Sequence, residues 1–350
     1  MNKTVKILAV LLAAQLLLAA GIGLSDRGVT ATNEPVALVS FDAEKIDRIT
    51  LEGPEDAKVT LERNGSDWVL PDLGEFPANS NKVKQLFERL KALRSGTPIA
   101  TSGGARERFK VSDEQFERRI TLSEDDDTVA RLFLGSSPGM RLIHARNEAS
   151  DAIHAVKMAV YDVPVKASDW EDKSVLTLPK TQITAINVNG LHLQRSSLIA
   201  DSDKATEDSS QSPTWQADGL GEGQQLKASA ADKLAGLLAD LQFEKVLGRE
   251  AKDEYGLTEP VLELSLSRDG ETLRYRAGKA KDTEEYTLKV SSRPEYFRLA
   301  SYKAKPLIES ANLEKLIEAI SAAAGEAESA GDVEEDMPAP DANGEGAASE

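Results

Sequence analysis

Apolar and polar residues alternate in several short stretches of the chain, which is the pattern of strands that bury one face. Residues 46–51 and 59–63 show it first, and Asn64-Gly65 then provides the positive φ of a tight hairpin turn. Residues 68–70 form the returning strand, which Pro71 ends. The body of the chain is therefore predicted to begin as an antiparallel meander.

The periodicity changes to that of a helix after this meander. Apolar side chains recur every three or four positions at Val83, Leu86, Phe87 and Leu90. Asn79 or Ser80 is suited to cap the start of this helix, which is predicted to run to Leu93 and to end before Ser95-Gly96. A helix with a single apolar stripe is expected to pack on a sheet.

Four more strands are predicted after a loop that contains Gly103-Gly104, and a short helix follows them. The strands are residues 119–122, 129–134, 141–145 and 153–156, and the helix is residues 157–163. The connections between them are rich in Asp, Asn, Ser, Pro and Gly, which favour turns. Trp170 closes this part of the chain.

The same series of elements is predicted a second time. Trp215 takes the place of Trp68, 147 positions later. A second helix has the stripe Leu234, Leu237, Leu238 and Leu241, 151 positions after the first stripe. The strands of this series are residues 183–188, 191–193, 262–266, 273–277, 286–290 and 296–299, and residues 307–320 are predicted to form a last amphipathic helix. The fold class is predicted to be α+β, with two tandem repeats that each pack an antiparallel meander sheet against one amphipathic helix.

The N-terminal segment differs from this body. Lys3 and Lys6 precede an apolar run of eighteen residues, 7–24, that only Gln15 interrupts. As a helix such a run is about 27 Å long, roughly the hydrocarbon thickness of a bilayer. Because the lysines precede the run, the positive-inside rule places the rest of the chain across the membrane. A cleaved signal peptide is the alternative, and in either case the body is exported.

These patterns divide the chain into five segments. Residues 1–24 are predicted to be a transmembrane anchor or signal peptide, 25–35 a spacer, 36–172 the first repeat, 173–320 the second repeat, and 321–350 a disordered acidic tail. The polar residues 201–211 are predicted to be a disordered loop within the second repeat. The expected location is the bacterial cytoplasmic membrane, with a single span and the body in the periplasm.

The net charge of −17 and the lack of cysteine narrow the possible functions. Ten carboxylates and no Lys or Arg follow Lys315, so much of the negative charge lies near the C-terminal end. An acidic body repels phosphate backbones, and nucleic acid is therefore not an expected partner. The lack of cysteine excludes disulfides, thiol nucleophiles, Fe–S clusters, most structural zinc sites and a lipoprotein anchor.

The three histidines do not form a metal-binding pattern. His144 and His154 fall on strands that are predicted to pair, which would allow their rings to approach each other, whereas His192 lies in the other half. The His-x-His and His-x-x-x-His spacings are absent. Ordinary strand positions are the favoured interpretation, and no metal or cofactor is predicted.

The other polar clusters are also expected to be structural. The acidic run 124–127 lacks the glycine and the distal glutamate of a calcium loop, so a solvated hairpin turn is predicted there. Neither Gly103-Gly104 nor residues 135–139 have the Lys-Ser/Thr ending of a phosphate-binding loop. No nucleophile elbow appears, and nothing selects one glycosidase pair among the 59 acidic residues. No catalytic, cofactor-binding or metal-binding residue is predicted.

Trp68 and Trp215 have two interpretations. Their rings could stack on a sugar or a peptide. Because they recur at the same place in both halves of the chain, packing between sheet and helix is the favoured interpretation.

Several short motifs recur in an order that is familiar from one bacterial family. They are residues 46–51 (IDRITL), Trp68 to Pro71, the Leu-rich helix, Arg108-Phe109-Lys110-Val111-Ser112, Leu134-Gly135, Trp170-Glu171-Asp172-Lys173 and Ile183-Thr184-Ala185-Ile186. In their order and spacing, over about residues 36–320, they resemble the family called domain of unknown function 4340. The resemblance implies a single-pass, periplasm-facing protein, often associated with ABC transporter operons of the gliding-motility type as an auxiliary component. It transfers no catalytic residue to this sequence.

We therefore expect a membrane-anchored accessory or scaffold protein of a membrane complex, without catalysis of its own, and an ABC-type transport system as its partner. A periplasmic module that binds a glycan or a peptide in the groove between the repeats is the alternative, and it predicts exposed aromatic side chains there, with Trp68 and Trp215 as its main support. An envelope hydrolase is the third hypothesis. It requires two carboxylates about 5–10 Å apart, at least one of them with a raised pKa.

Overall fold

The computed structural model describes residues 35–196, 214–281 and 283–320, together with Gln15 alone before them. These residues form an α+β fold with several antiparallel sheets and few helices. The predicted loop 201–211, the predicted tail 321–350 and all but one residue of both the predicted anchor and the predicted spacer lie outside the described residues. Among the residues described, no helix has the length and apolar character needed to cross a membrane.

Residues 35–172 of the first half form ten strands and two helices. In chain order, the strands β1 to β10 are Val36–Ala37, Arg48–Glu52, Lys58–Asn64, Asp67–Leu70, Phe76–Pro77, Arg94–Ser95, Arg118–Glu124, Asp127–Leu134, Leu142–Asn147 and His154–Lys157. Helix α1 is Ser80–Ala92 and helix α2 is Gly103–Arg108. Eight of the strands form one sheet in the order β10-β9-β8-β7-β2-β3-β4-β5, and β1 pairs separately with β6.

The described residues of the second half, 173–196, 214–281 and 283–320, form another ten strands and three helices. The strands β11 to β20 are Ile183–Val188, Leu191–Arg195, Trp215–Asp218, Gln224–Leu226, Lys245–Gly248, Leu262–Arg268, Glu271–Lys279, Tyr286–Val290, Tyr296–Leu299 and Ile317–Ala319. The helices α3 to α5 are Ala228–Ala239, Ser301–Ser310 and Leu313–Leu316. Eight strands form a sheet in the order β13-β12-β11-β16-β17-β18-β19-β15, and β14 pairs with β20.

Seven strands follow the same order in both sheets. In the first sheet the meander β2-β3-β4 joins the meander β7-β8-β9-β10 through the antiparallel pair β2 and β7. In the second sheet β11-β12-β13 joins β16-β17-β18-β19 through the pair β11 and β16. The sheets differ in their eighth strand, because β5 extends the first sheet beside β4 whereas β15 extends the second beside β19.

Three hairpins have a loop of only two residues that both have positive φ, which is the backbone of the tight turns that match strand twist. These pairs are Asp125-Asp126, Asn189-Gly190 and Asp269-Gly270. The predictions of a turn at Asn189-Gly190 and of a hairpin turn within the acidic run 124–127 are confirmed. In the first meander the turn lies at Gly65-Ser66, one residue beyond the predicted position.

Helix α1 buries all four residues of its predicted stripe, Val83, Leu86, Phe87 and Leu90. Helix α3 buries Leu234 and Leu238 of its predicted stripe, whereas Leu237 is only half-buried and Leu241 is buried beyond the end of the helix. The side chain of Asn79 caps α1 by accepting a hydrogen bond from the backbone N–H of Lys82 at 3.1 Å. One continuous hydrophobic core contains residues of both sheets and both helices.

Three local predictions were wrong. The helix predicted over 307–320 is instead α4, α5 and the strand β20, because Asn312 caps a new helix start and Ile317–Ala319 pairs with β14. The helix predicted over 157–163 is only the 3₁₀ turn Val160–Asp162, which Pro164 prevents from continuing. The loop predicted around Gly103-Gly104 contains the short helix α2.

Candidate functional site

The two sheets meet at a cluster of three buried phenylalanines. Phe76 on β5 lies 5.8 Å from Phe243, which precedes β15, and 6.1 Å from Phe297 on β19, between ring centroids. Phe243 and Phe297 are 4.8 Å apart. Tilted and edge-on contacts at these distances are favourable beyond the area that they bury. The cluster therefore fixes the edge of the first sheet against the second, and we call this region the junction.

Two buried carboxylates belong to the junction. Glu171 is 2% exposed and Glu295 is fully buried. Glu171 accepts hydrogen bonds from the backbone N–H of Val246, at 3.1 Å, and from the ammonium of Lys173. A carboxylate removed from water is tolerated only when it is paired and hydrogen-bonded, and Glu171 meets both conditions.

Glu295 is satisfied by two arginines. Its Oε1 lies 3.1 Å from Arg249 and its Oε2 lies 3.0 Å from Arg293. The guanidinium of Arg293 also stands over the ring of Phe76, 5.2 Å from its centroid. The buried charge of Glu295 thus holds two cations beside the phenylalanine cluster.

Cations also reach from one side of the junction to the other. Arg249 donates a hydrogen bond to the carbonyl oxygen of Gly74 at 2.6 Å. Lys173 donates to the carbonyl oxygen of Glu244, and its ammonium lies 4.6 Å from the centroid of the Phe243 ring. These contacts fix the geometry of the junction.

A groove of about 820 Å³ opens beside the junction, between the N-terminal end of α1 and the segment that follows Glu171. Its lining includes the amide residues Asn64, Asn79, Asn81 and Gln242, the hydroxyl residues Ser80 and Ser174, and the charged residues Asp67, Asp172 and Lys173. Amides and hydroxyls both donate and accept hydrogen bonds, so this lining suits a polar ligand such as a peptide backbone or a sugar. We call it the junction groove.

The tryptophans belong to the core. Trp68 is 5% exposed and Trp215 is 3% exposed, and Trp68 packs against Phe87 of α1 with ring centroids 5.8 Å apart. Trp68 lies at the base of the junction groove without presenting a free ring face to it. The interpretation of both residues as core is confirmed, and a stacking platform on them loses its support.

The histidines lie on paired strands but do not meet. His144 is opposite Ala155 and His154 is opposite Ala145 in the β9–β10 pair, so their side chains lie on opposite faces of the sheet. The ring of His144 stacks on Phe109 at 4.3 Å, and its Nδ1 lies 3.0 Å from the hydroxyl of Ser136. Burial lowers the pKa of His144, which favours the neutral ring.

No cluster of three or more His, Cys, Asp or Glu side chains able to hold a metal ion is found among the described residues. Within the part of the chain that the structure describes, three carboxyl groups have shifted pKa values, and in each case the pKa is lowered. The cause is an ion pair in each case. Glu52 pairs with Arg119, Asp232 pairs with Lys180, and Glu284 pairs with Lys279 and Lys305. A glycosidase acid needs the opposite shift, so none of these three fits that role.

The junction groups were not identified from the sequence as a site. Glu171 was noted only within the motif that closes the first half, and Glu295 and Arg249 did not stand out. The sequence offers one signal for this site, which is that the charged residue Glu171 directly follows Trp170. Its partner Val246 is 75 positions away along the chain, which no local pattern reveals.

Comparison with known proteins places the chain in one family. The family described as "Domain of unknown function (DUF4340)" matches residues 68–260. This range includes Trp68, helix α1, the segment around Glu171 and helix α3. No curated protein and no solved structure matches the chain significantly.

Proposed function

The chain belongs to the DUF4340 family, and on that premise we propose that it is an accessory or scaffold subunit of a membrane complex. In this proposal residues 1–24 anchor it in the bacterial cytoplasmic membrane, and the two-sheet body binds partner proteins on the periplasmic side without catalysis of its own. An ABC-type transport system is the proposed partner. The apolar run 7–24 after Lys3 and Lys6 supports the location, and the family resemblance supports the partner.

The junction is the observation that carries the scaffold role. Its buried carboxylates, Glu171 and Glu295, are each paired with a cation two positions away in the chain. Each also joins a distant segment, because Glu295 pairs with Arg249 and Glu171 accepts a hydrogen bond from the backbone N–H of Val246. Buried ion pairs of this kind serve a fixed geometry better than they serve stability. A scaffold needs such fixed geometry, since it must present surfaces to its partners in one orientation.

The junction groove is the proposed contact site on this scaffold. Asn81 and Ser80 stand at the exposed N-terminal end of α1, on one wall of the groove, and Ser174 stands on the opposite wall. An extended segment of a partner protein would find donors and acceptors on both walls. The junction groove is therefore the surface on which we expect a partner protein to bind.

We also propose that the two halves, residues 36–172 and 173–320, are copies of one module. The shared order of seven strands supports this, as does the recurrence of Trp68 and Trp215. A third support is a close contact of a glycine with an aromatic residue in each half. Gly135 lies against the backbone of Phe109, and Gly278 lies against that of Tyr255, so closely that a Cβ on either glycine would overlap the aromatic residue's carbonyl oxygen.

Site-specific photocrosslinking in native membranes tests the function. A photoreactive amino acid at Asn81, in the groove, is compared with one at Lys84, which is exposed on the same helix one turn further along. We expect Asn81 to give a crosslink to a transporter subunit, identified by mass spectrometry, and Lys84 to give much less of it. Recovery of an uncrosslinked chain from both positions, with no transporter subunit copurifying, would refute the proposed role.

The amide-rich lining of the groove also favours a second function, the binding of a glycan or a peptide in the periplasm. This alternative no longer has exposed tryptophans to support it, and it rests on Asn64, Asn79 and Gln242 instead. Binding of peptidoglycan fragments or of periplasmic peptides to the full-length chain, lost in Asn81→Trp, would favour it. Crosslinking of Asn81 to a transporter subunit would favour the scaffold.

A further inference from the structure

A second cavity, of about 510 Å³, lies beside β15, the edge strand of the second sheet that also takes part in the junction. It is bounded by β15 and by the loop that joins β17 to β18. Four cationic side chains line it: Lys245, Lys252, Lys281 and Arg298. We call it the basic cavity.

The lining is positive although the chain is strongly acidic, with a net charge of −17. Two carboxylates, Glu254 and Glu285, share the basic cavity with the four cations. Glu285 pairs with Arg298 at 2.7 Å, and Glu254 lies 3.7 Å from Lys252. The described lining residues therefore have an excess of two positive charges, contributed from opposite walls by Lys245 on β15 and Lys281 in the loop.

The basic cavity is open in the second sheet because a smaller side chain takes the place of a residue that fills the corresponding space in the first sheet. Gly135 directly follows β8, and its backbone N–H donates a hydrogen bond to the carbonyl oxygen of His144. Gly278 takes the corresponding place in the second sheet and is paired with Thr287. In the first sheet the imidazole of His144 fills the space by stacking on Phe109. In the second sheet the shorter side chain of Thr287 lines the cavity instead.

The neighbouring aromatic residue also differs between the sheets. Tyr255 occupies the place of Phe109, but its ring packs against Tyr296, 5.3 Å away, and it lines the basic cavity. A break in strand register between Val246 and Gly248 widens the same edge of the sheet. Such bulges often occur where a sheet edge is shaped for binding.

We propose that the basic cavity binds a small ligand that presents a phosphate or a similar compact group with two negative charges. Lysine ammonium groups act as point charges for such a group, and the hydroxyl of Thr287 lies in the same lining. The volume accommodates more than the anionic group alone. A free phosphorylated metabolite and the headgroup of an anionic lipid share this chemistry.

The test measures the binding of pyrophosphate to the full-length chain in phosphatidylcholine nanodiscs, by isothermal titration calorimetry. The variant Lys245→Gln/Lys281→Gln removes two charges from opposite walls of the basic cavity. Its matched control, Lys233→Gln/Lys315→Gln, removes two charges from exposed lysines of α3 and α5. We expect the dissociation constant to rise about tenfold or more in the first variant and to change less than about twofold in the control.

Thr287→His provides a second variant that leaves every charge in place. Histidine is the residue at the corresponding place in the first sheet, His144. We expect its larger side chain to fill the basic cavity and to abolish pyrophosphate binding. The circular dichroism spectrum should stay unchanged, which would show that the variant is folded. Nanodiscs that contain phosphatidic acid distinguish the two sources of the ligand, because a bound headgroup would compete with pyrophosphate and a free metabolite site would be unaffected. Either result supports the site. An absence of saturable binding, or equal weakening in both double variants, would overturn it.

Discussion

The carboxylate of Glu171 accepts a hydrogen bond from the backbone N–H of Val246, 75 positions later in the chain, at 3.1 Å. Glu171 follows the last turn of the first half, and Val246 lies on β15, the edge strand of the second sheet. A bond between such distant segments, shielded from water, holds one sheet in register with the other. Lys173 neutralises the same carboxylate and extends the link to the carbonyl oxygen of Glu244.

Removal of this carboxylate is expected to destabilise the protein. Glu171→Ala leaves the Val246 N–H and the Lys173 ammonium without their partner, and it should lower the free energy of unfolding by about 2–4 kcal/mol. Glu171→Gln keeps an oxygen for the N–H and should cost about 1–2 kcal/mol. Urea denaturation of the full-length chain measures both values. The control Glu244→Ala changes an exposed side chain and should stay within about 0.5 kcal/mol, and a similar loss in all three variants would contradict the role of the link.

The phenylalanine cluster is expected to control the orientation of the two sheets. Phe76→Ala opens a cavity at the junction and should cost about 3–5 kcal/mol. Because the cysteine-free chain accepts spin labels at chosen positions, labels at the exposed sites Lys58 and Thr272 report the distance between the sheets. Double electron–electron resonance should show a broader distance distribution in Phe76→Ala.

Phe133→Ala is the matched control, since Phe133 is equally buried but belongs to a separate small cluster behind the first sheet. It should cost a similar free energy and leave the distance distribution narrow. Equal broadening in both variants would mean that the junction does not depend on Phe76.

Local sequence patterns were sufficient for the elements but not for the junction. Alternation located most strands within one or two residues, as at 262–266 for Leu262–Arg268, and the stripe from Val83 to Leu90 predicted the buried face of α1. The short strands β1, β6, β14, β15 and β20 were missed, because each is two to four residues long and is formed by pairing with a distant strand. The same reason hid Glu171, Arg249 and Glu295, whose partners are set by tertiary contact.

The two glycines of the close contacts are expected to resist substitution. A Cβ on Gly135 would lie 1.9 Å from the carbonyl oxygen of Phe109, and one on Gly278 would lie 2.3 Å from that of Tyr255. Since these obstacles are backbone atoms, the sheet must shift to admit a methyl group, and Gly135→Ala and Gly278→Ala should each cost about 1–3 kcal/mol or more. Gly139→Ala meets no atom within 4 Å and serves as the control. Thermal unfolding measures all three, and the interpretation fails if Gly139→Ala costs as much as the other two.

The buried ring of His144 is expected to make stability depend on pH. Burial lowers its pKa in the folded protein below the ordinary value of about 6.5, while the unfolded chain keeps that ordinary value. Between these two pKa values the unfolded chain binds more protons than the folded one, so stability is full above about pH 6.5 and falls as the pH decreases below it. His144→Gln removes this group, and its unfolding free energy should fall less steeply than that of the wild type between about pH 7 and 5, by at most about 1.4 kcal/mol per pH unit. His192→Gln, on the second sheet, should retain the wild-type slope. Urea denaturation at a series of pH values gives the three slopes, and a wild-type slope in His144→Gln would show that the ring takes up its proton equally in the folded and unfolded chain.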